Sequence, residues 1–461
     1  MPTLDIHNPA TGALITTLMA HDAAAVAAMA AAARVAQPAW ARTPMNERLA
    51  IVHRFRDAVA ADIDRLAATL SAEVGKPISQ ARNELTGLLP RIDFFLERSE
   101  GTLRDEHVFD GGGVHEQIGH EPLGVVANIS AWNYPWFVGC NVIIPALLAG
   151  NSVLYKPSEY ATLSGHHLTR LLHQSGVPTA VLPCLAGAGE TGAALVAQDI
   201  DAMFFTGSHA TGMRIANALA GRLVKLQLEL GGKDPSYVRA DADPKAAAES
   251  LADGAMYNTG QSCCSVERIY LHEAIHDAFV SHFLAAVDGM RMGNPMDDAT
   301  TIGAITRAPQ IAVLQAQVAD ALAKGATLRR GGAAVPGPFN GRGNWFAPTV
   351  LTEVDHRMDL MREESFGPII GIQKVAGDAE ALALMNDSRY GLTAGVYSAD
   401  ESAARALLAQ VRAGSVYWNC CDRVSPRLPW SGVGDSGIGL TLSTYGIQAF
   451  TRTKAWHLRG G

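Results

Sequence analysis

The sequence predicts an α/β protein of two or three domains, with parallel sheets covered by helices on both faces. Three observations lead there. The chain has 461 residues, more than one hydrophobic core usually holds. Hydrophobic residues make up 48% and charged residues 18%, which suits a compact globular chain and argues against disorder. From about residue 120 onward, short apolar runs bounded by turn residues alternate with helical stretches, the pattern of strand–helix–strand units.

The elements follow in order. Asp22 to Trp40 is alanine-rich, with Val26, Met29 and Val35 spaced for one helix face. Asn46 to Val74 carries Leu49, Val52, Phe55, Val59 and Leu66 at helical spacing and stops at Gly75-Lys76-Pro77. Strand signals then lie at Pro122 to Ser130, Ser152 to Lys156, Thr179 to Leu185 and Ala202 to Phe205. Helical stretches at Ala161 to Ser175 and Glu190 to Ala197 separate them. Val138 to Ala149 is broken by Gly139, Asn141 and Pro145 and reads as buried core. The second half gives helices at Pro244 to Tyr257, Ala274 to Met290, Gln310 to Lys324 and Glu401 to Val411. Its strands are expected at Glu267 to His272, Ile369 to Val375 and Gly414 to Asn419, and the two α/β domains join near Glu229 to Lys233. Gly446 to Leu458 partly alternates and suits a strand added to a sheet edge, in this chain or in another subunit.

Charge and composition exclude several classes. A net charge of -8 gives no broad attraction for nucleic acid or an anionic membrane. No run reaches the roughly 18 apolar residues of a membrane span, and no secretory signal is visible, so a cytoplasmic protein is expected. The six cysteines form no Cys-x-x-Cys, and no His/Cys cluster has structural-zinc spacing. A reducing compartment and no metal are expected.

Three segments carry chemistry. Cys263 lies in Asn258-Thr259-Gly260-Gln261-Ser262-Cys263-Cys264, a polar and flexible approach unlike a core helix. A thiol there can add to an aldehyde, and loss of hydride from the adduct leaves a thioester. Cys264 competes for the role, but adjacent side chains point in different directions. Glu229, between Leu228 and Leu230 and followed by Gly231-Gly232, sits in apolar surroundings that would raise its pKa and suit it to act as a general base. Asn133, in Trp132-Asn133-Tyr134-Pro135-Trp136, can donate its side-chain amide to a developing oxyanion. Read singly, each has a plainer alternative: a buried cysteine, a paired carboxylate, a turn asparagine.

No Gly-x-Gly-x-x-Gly follows the first strand. The glycine-rich turns are Gly187-Ala188-Gly189 and Phe205-Thr206-Gly207-Ser208, each between a strand and a helix, where backbone N–H groups can meet phosphate. Lys156-Pro157-Ser158-Glu159 ends a strand, and a lysine and a glutamate placed so can bond a ribose. A glutamate on the 2′-hydroxyl repels a 2′-phosphate, so NAD is expected over NADP. In Glu363-Glu364-Ser365-Phe366-Gly367-Pro368, either a solvated turn or a holder of the nicotinamide ribose (Glu364) and ring (Phe366) fits.

Taken together, these segments resemble the aldehyde dehydrogenase superfamily, from Asn8-Pro9-Ala10-Thr11-Gly12 to the C-terminal strand. Glu229 precedes Cys263 by 34 residues, in the family's order. The resemblance implies that Cys263 is the nucleophile, Glu229 the base for deacylation, and Asn133 with the Cys263 backbone amide the oxyanion hole. It implies cofactor contacts from Trp132, Lys156, Ser158, Glu159, Gly189, Phe205, Gly207, Ser208, Glu364 and Phe366. It implies a Rossmann-like cofactor domain (1–103 and 123–231), a catalytic domain (232–432) and a small oligomerisation extension (104–122 and 433–461), in a homodimer or homotetramer. The substrate funnel would be lined by Tyr134, Trp136, Phe137, Asn141, Tyr257, Ser262, Cys264 and the Asn419 to Trp430 segment. Two positions depart from the family's pattern, Ser265 after the cysteine pair and Pro429-Trp430-Ser431-Gly432 near the C-terminus.

The expected substrate is a small aldehyde, either apolar or aromatic, or a semialdehyde whose distal carboxylate meets Arg423 or Arg427. Two other readings compete. CoA-acylating relatives commonly lack the glutamate at position 229, so its presence favours water as the acyl acceptor. A binding protein that kept the fold and lost the activity would lack the cysteine, glutamate or asparagine, and all three are present.

Overall fold

The computed structural model describes residues 2–460. The apolar runs of the first half form a five-stranded sheet in the order Gly437–Ile438, Lys225–Glu229, Ala202–Thr206, Val125–Ile129, Ser152–Lys156. Its four longer strands are parallel, and the Gly437–Ile438 edge runs antiparallel. Val125–Ile129 and Ser152–Lys156 are buried along their whole length, as strands covered on both faces must be.

The second half forms a seven-stranded sheet. Its order is Thr327–Arg330, Thr349–Thr352, Ile369–Val375, Val266–His272, Asp234–Val238, Thr393–Tyr397, Ser415–Trp418. Only the Thr327–Arg330 edge pairs antiparallel. A third sheet, antiparallel, joins Thr451–Arg459, Val114–Pro122 and Glu106–Gly111. The C-terminal strand therefore adds to an edge of its own chain, paired from Thr451↔Pro122 to Arg459↔Val114. A helix, Ser443–Gln448, occupies the start of the stretch expected to be strand.

Four departures from the sequence expectations have physical causes. Asn46 to Val74 is two helices, Met45–Ala60 and Ile63–Val74, because Asp62 leaves helical geometry at φ −130. The apolar spacing runs through the break because Phe55, Val59, Leu66 and Leu70 all enter one core. Thr179 to Leu185 is not a strand. It lies beside Ser152–Lys156, where Val181 O and Pro183 O accept from Val153 N and Tyr155 N, but Pro183 has no N–H to continue a ladder. The helix Ile78–Thr102 lay outside the expected elements. Its charged residues and internal Pro90 hide an apolar face of Leu85, Leu88, Ile92 and Phe95. The approach to Cys263 is not flexible. Asn258, Thr259 and Gln261 are buried, and Asn258 (φ 53), Thr259 (φ 58) and Gly260 (φ 68) are held consecutively in the left-handed region.

Candidate active site

Parallel strands deliver their carboxyl ends to one edge of the five-stranded sheet, the usual place for a ligand crevice in such sheets. Lys156 and Glu229 are the last residues of their strands, and Trp132 and Asn133 follow Val125–Ile129 by a short turn. The edge Gly437–Ile438 pairs with Glu229 and Leu228, so the C-terminal part of the chain closes over the end of the Glu229 strand.

Asn133 is buried, and its backbone carbonyl is fixed from two sides. Lys76 Nζ donates to it at 2.7 Å and Asn258 Nδ2 at 3.3 Å. Lys76 also pairs with Glu84 and lies 3.9 Å from the centre of the Tyr134 ring. Glu84 in turn accepts from Trp136 N at 2.9 Å. Both members of the Lys76–Glu84 pair are fully buried. Removing either would leave an unpaired charge in the interior, at a cost of about 3–5 kcal/mol. The pair pins the Trp132–Trp136 turn to the helix Ile78–Thr102.

Asn258 couples this turn to the cysteine loop, because Asn258 Nδ2 also donates to Gln261 O at 3.0 Å. Gln261 is locked by Ala304 O and Thr306 N. Gly260 is required by close approach as well as by its φ, since a Cβ there would stand 2.3 Å from Gly367 O. The cysteine loop thus packs directly on the Glu364–Pro368 turn.

Cys264 lines the same cavity as Cys263, but its Sγ donates to Asp422 Oδ1 at 2.9 Å. The hydrogen bond with Cys263 lowers its pKa, and burial and Asp422 outweigh that and push it up to about 12. Cys263 and Glu229 are neighbours, each shifting the other's proton affinity. The hydrogen bond with Cys264, burial and the Glu229 charge all hold Cys263 in its thiol form. Burial raises the Glu229 pKa, and hydrogen bonds from Trp430, Cys263 and Thr206 oppose that shift. Trp430 Nε1 donates to Glu229 Oε1 at 3.2 Å. Trp430, the departure from the family's usual residue, therefore touches the carboxylate itself.

Cys263 and Glu229 face a cavity of about 840 Å³. Tyr134, Phe137, Asn141, Tyr257, Ser262 and Trp430 line it, together with Asp422 to Arg427. Trp136 does not: it is fully buried in the core, because the helix Pro135–Leu148 turns its first apolar residue inward. Arg423 and Arg427 lie at the cavity but are exposed.

The residues expected to meet a cofactor gather along the strand ends. Lys156 is buried, donates to Pro157 O at 3.0 Å and stands 3.9 Å from Glu159, whose side chain is 36% exposed. Ser158 donates to Glu159 at 3.4 Å. Gly189 opens the helix Gly189–Val196 with free space around it, and Ser208 precedes the helix His209–Leu219. A Cβ on Gly207 would stand 2.6 Å from the Phe205 ring. Trp132 and Phe366 meet edge to face, with centroids 5.5 Å apart. Glu364 Oε1 accepts from Gly232 N at 3.2 Å, and burial and Glu267 push its pKa up to about 8. This open row of glycines, helix starts and paired polar side chains fits a dinucleotide.

Sequence reasoning missed the buried supports. Lys233 pairs with Glu267 at 2.6 Å, and Glu267 accepts from Ser365 N and Phe366 N, which fixes the Glu364–Phe366 turn. Glu84 and Arg91 sit on a helix whose polar sequence looks solvent-facing, and Glu267 stands beside Arg268 at the start of an otherwise apolar strand. The one available signal was Lys233 itself, inside Glu229-Leu230-Gly231-Gly232-Lys233.

The sequence profile of the Aldehyde dehydrogenase family matches residues 2–456. The 3,6-anhydro-alpha-L-galactose dehydrogenase of Streptomyces coelicolor is 36% identical over 462 residues, covering 99% of this chain and 93% of the relative. A Mycolicibacterium smegmatis protein, provisionally named a succinate-semialdehyde dehydrogenase [NADP(+)], is 36% identical over 454 residues, with 96% and 86% covered. The NAD-dependent aldehyde dehydrogenase of Sinorhizobium meliloti superposes with a TM-score of 0.96 at 31% identity, over 99% of this chain and 92% of that one. The chain belongs to the aldehyde dehydrogenase family.

Proposed function

We propose that this enzyme oxidises an aldehyde to a carboxylic acid through a thioester on Cys263, which water activated by Glu229 hydrolyses. The observation that carries the reading is the placement of a thiol and a buried carboxyl as neighbours in the wall of one cavity, beside the anchored Asn133 turn. NAD or NADP, when bound, supplies the hydride acceptor; the relatives named above include one of each kind. Lys156, Ser158, Glu159, Gly189, Phe205, Gly207 and Ser208 would hold its adenosine and phosphates, and Trp132, Glu364 and Phe366 its nicotinamide half.

The chain's own groups perform the remaining work. Cys263 releases its proton to solvent and its thiolate sulfur adds to the carbonyl carbon, the carbonyl π pair moving to oxygen, which gives the anionic thiohemiacetal; loss of hydride from it leaves the neutral thioester. Asn133 and the Cys263 backbone amide donate to the oxygen as it gains charge. After the hydride has left, Glu229 takes a proton from water, which attacks the thioester carbon and frees Cys263. Glu229 favours water over coenzyme A as acceptor, and product analysis with and without CoA checks this. The aldehyde is a semialdehyde or one with an apolar or aromatic tail, given Tyr134, Phe137 and Tyr257 in the cavity wall. Glu159 favours NAD. The chain divides into a cofactor domain (1–103 and 123–231), a catalytic domain (232–432) and an oligomerisation extension (104–122 and 433–461). It acts in the cytoplasm as a homodimer or homotetramer formed through the three-stranded sheet, where Val108, Phe109 and Leu458 are exposed.

NADH or NADPH appearance across an aldehyde panel tests the activity. Silence on every aldehyde, with dinucleotide still bound, would favour a binding protein instead. Asn133→Ala should lower kcat by about 10²–10³-fold, the usual effect of losing one oxyanion donor. An unchanged kcat would remove Asn133 from the mechanism.

The pH profile gives a second check. A base must be deprotonated, and burial raises Glu229, so kcat should fall on acidification at a higher pH than an exposed glutamate would give. The Trp430 hydrogen bond stabilises the charged carboxylate. Trp430→Phe should therefore move that acid limb to still higher pH. A limb that moves the other way contradicts the assignment.

A further inference from the structure

We propose that Arg91 selects the substrate: its guanidinium binds a carboxylate carried at the end of the aldehyde remote from the reacting carbon. This rests on the dehydrogenase reading above and names its substrate class. It moves the anchoring role from the exposed Arg423 and Arg427 to a buried residue on the helix Ile78–Thr102.

Arg91 is 5% exposed and lines the same cavity as Cys263 and Glu229. It is incompletely satisfied. Nη1 donates to Asn141 Oδ1 at 2.9 Å, and Nη2 reaches Val424 O only at 3.4 Å. Nε is buried with no hydrogen-bond partner. No carboxylate lies within ion-pair distance of it among the described residues. Glu84, on the same helix, is occupied by Lys76 and Trp136 N. Arg268 provides the contrast. Equally buried, it places its guanidinium against Lys233 O, Tyr270 Oη, Leu384 O and Met385 O. Two other buried cations near the site, Lys76 and Lys233, are neutralised by Glu84 and Glu267.

A buried cation without a counter-charge is costly unless a ligand neutralises it. Burial pushes the Arg91 pKa down to about 10, so it stays charged at neutral pH. A hydroxyl would offer a dipole only, whereas a carboxylate offers a full charge and two oxygens that match the guanidinium fork. The group is also oriented. The Phe137 ring centre lies 4.2 Å from its Cζ, and Asn141 fixes one edge. With Asn141 Oδ1 committed to Arg91, the Asn141 amide NH₂ is left as a second donor in the same wall. Arg423 and Arg427 are exposed, and solvent and salt weaken such charges as anchors.

The test compares kcat/KM of the full-length enzyme for four- to six-carbon aldehydes with and without a terminal carboxylate: succinate, glutarate and adipate semialdehydes against butanal, pentanal and hexanal. At the best length the carboxylated substrate should be favoured by about 10²-fold. Arg91→Met should collapse that preference by about 10²-fold, mainly through KM. Arg91→Lys, which keeps the charge and loses the fork, should fall between. Equal losses on both series would show a merely structural role and overturn the proposal. So would a wild type without preference, or one that favours a polyhydroxylated aldehyde such as glyceraldehyde. Glutarate binding by calorimetry separates this idea from the reaction itself. Binding that weakens in Arg91→Met supports the anchor even if no aldehyde is oxidised, and equal binding in both proteins overturns it.

Discussion

Cys263→Ser is expected to lower aldehyde oxidation by about 10⁴-fold or more, the scale seen when a covalent nucleophile is removed. Dinucleotide binding should survive, because the residues lining the strand ends do not depend on the sulfur. The change is nearly isosteric, so the Asn258–Gln261 lock should hold the loop in place. A hydroxyl has a far higher pKa than a thiol, and the groups that act on position 263, Cys264 and Glu229, bring it no positive charge. Cys264→Ser is the matched control. Its Sγ faces Asp422 and not the base, so the enzyme should keep most of its rate. If the two variants exchanged these outcomes, the nucleophile would have been assigned to the wrong sulfur. Steady-state rates with a reactive aldehyde, together with dinucleotide binding followed by quenching of tryptophan fluorescence, distinguish the cases.

Glu229→Gln is expected to give one burst of reduced cofactor, close to one equivalent per active site, followed by a stall. The thioester forms without a base for water, but its hydrolysis needs one. The steady-state rate should fall by about 10²–10⁴-fold, the usual range for general base catalysis. Glutamine can still accept from Trp430 Nε1, so the wall of the cavity should keep its shape. Rapid-mixing absorbance at early times reads the burst directly. Turnover at the normal steady-state rate would remove Glu229 from deacylation, and loss of the burst itself would place it earlier, in the activation of Cys263.

The segments that carry the proposed chemistry were legible because each is marked by its neighbours in the chain. Glu229 stands between leucines ahead of paired glycines, and Cys263 follows a glycine and a glutamine. The alternation of apolar runs and helices gave the sheets for the same reason, since a strand buried on both faces has few ways to be written. What supports these segments was hidden. Lys76, Glu84, Arg91 and Glu267 look like surface charges, because burial of a charge depends on a partner that sequence spacing does not reveal. The helix Ile78–Thr102 was overlooked for that reason, although it carries both Glu84 and Arg91 to the cavity. Trp136 misled in the opposite sense. The resemblance implied a place in the funnel wall, but the register of the helix Pro135–Leu148 sends it inward and leaves Phe137 on the cavity. Asn258, Gly260 and Gln261 suggested a flexible approach to Cys263, whereas all three are buried and Gly260 packs closely against Gly367.

The most direct measurement is mass spectrometry of the Glu229→Gln protein quenched during turnover with an isotopically labelled aldehyde and oxidised cofactor. A single acyl group on the peptide containing Cys263, assigned to that residue by fragmentation and released by hydroxylamine, is the predicted result. An unmodified Cys263, or a label on Cys264, would contradict the account.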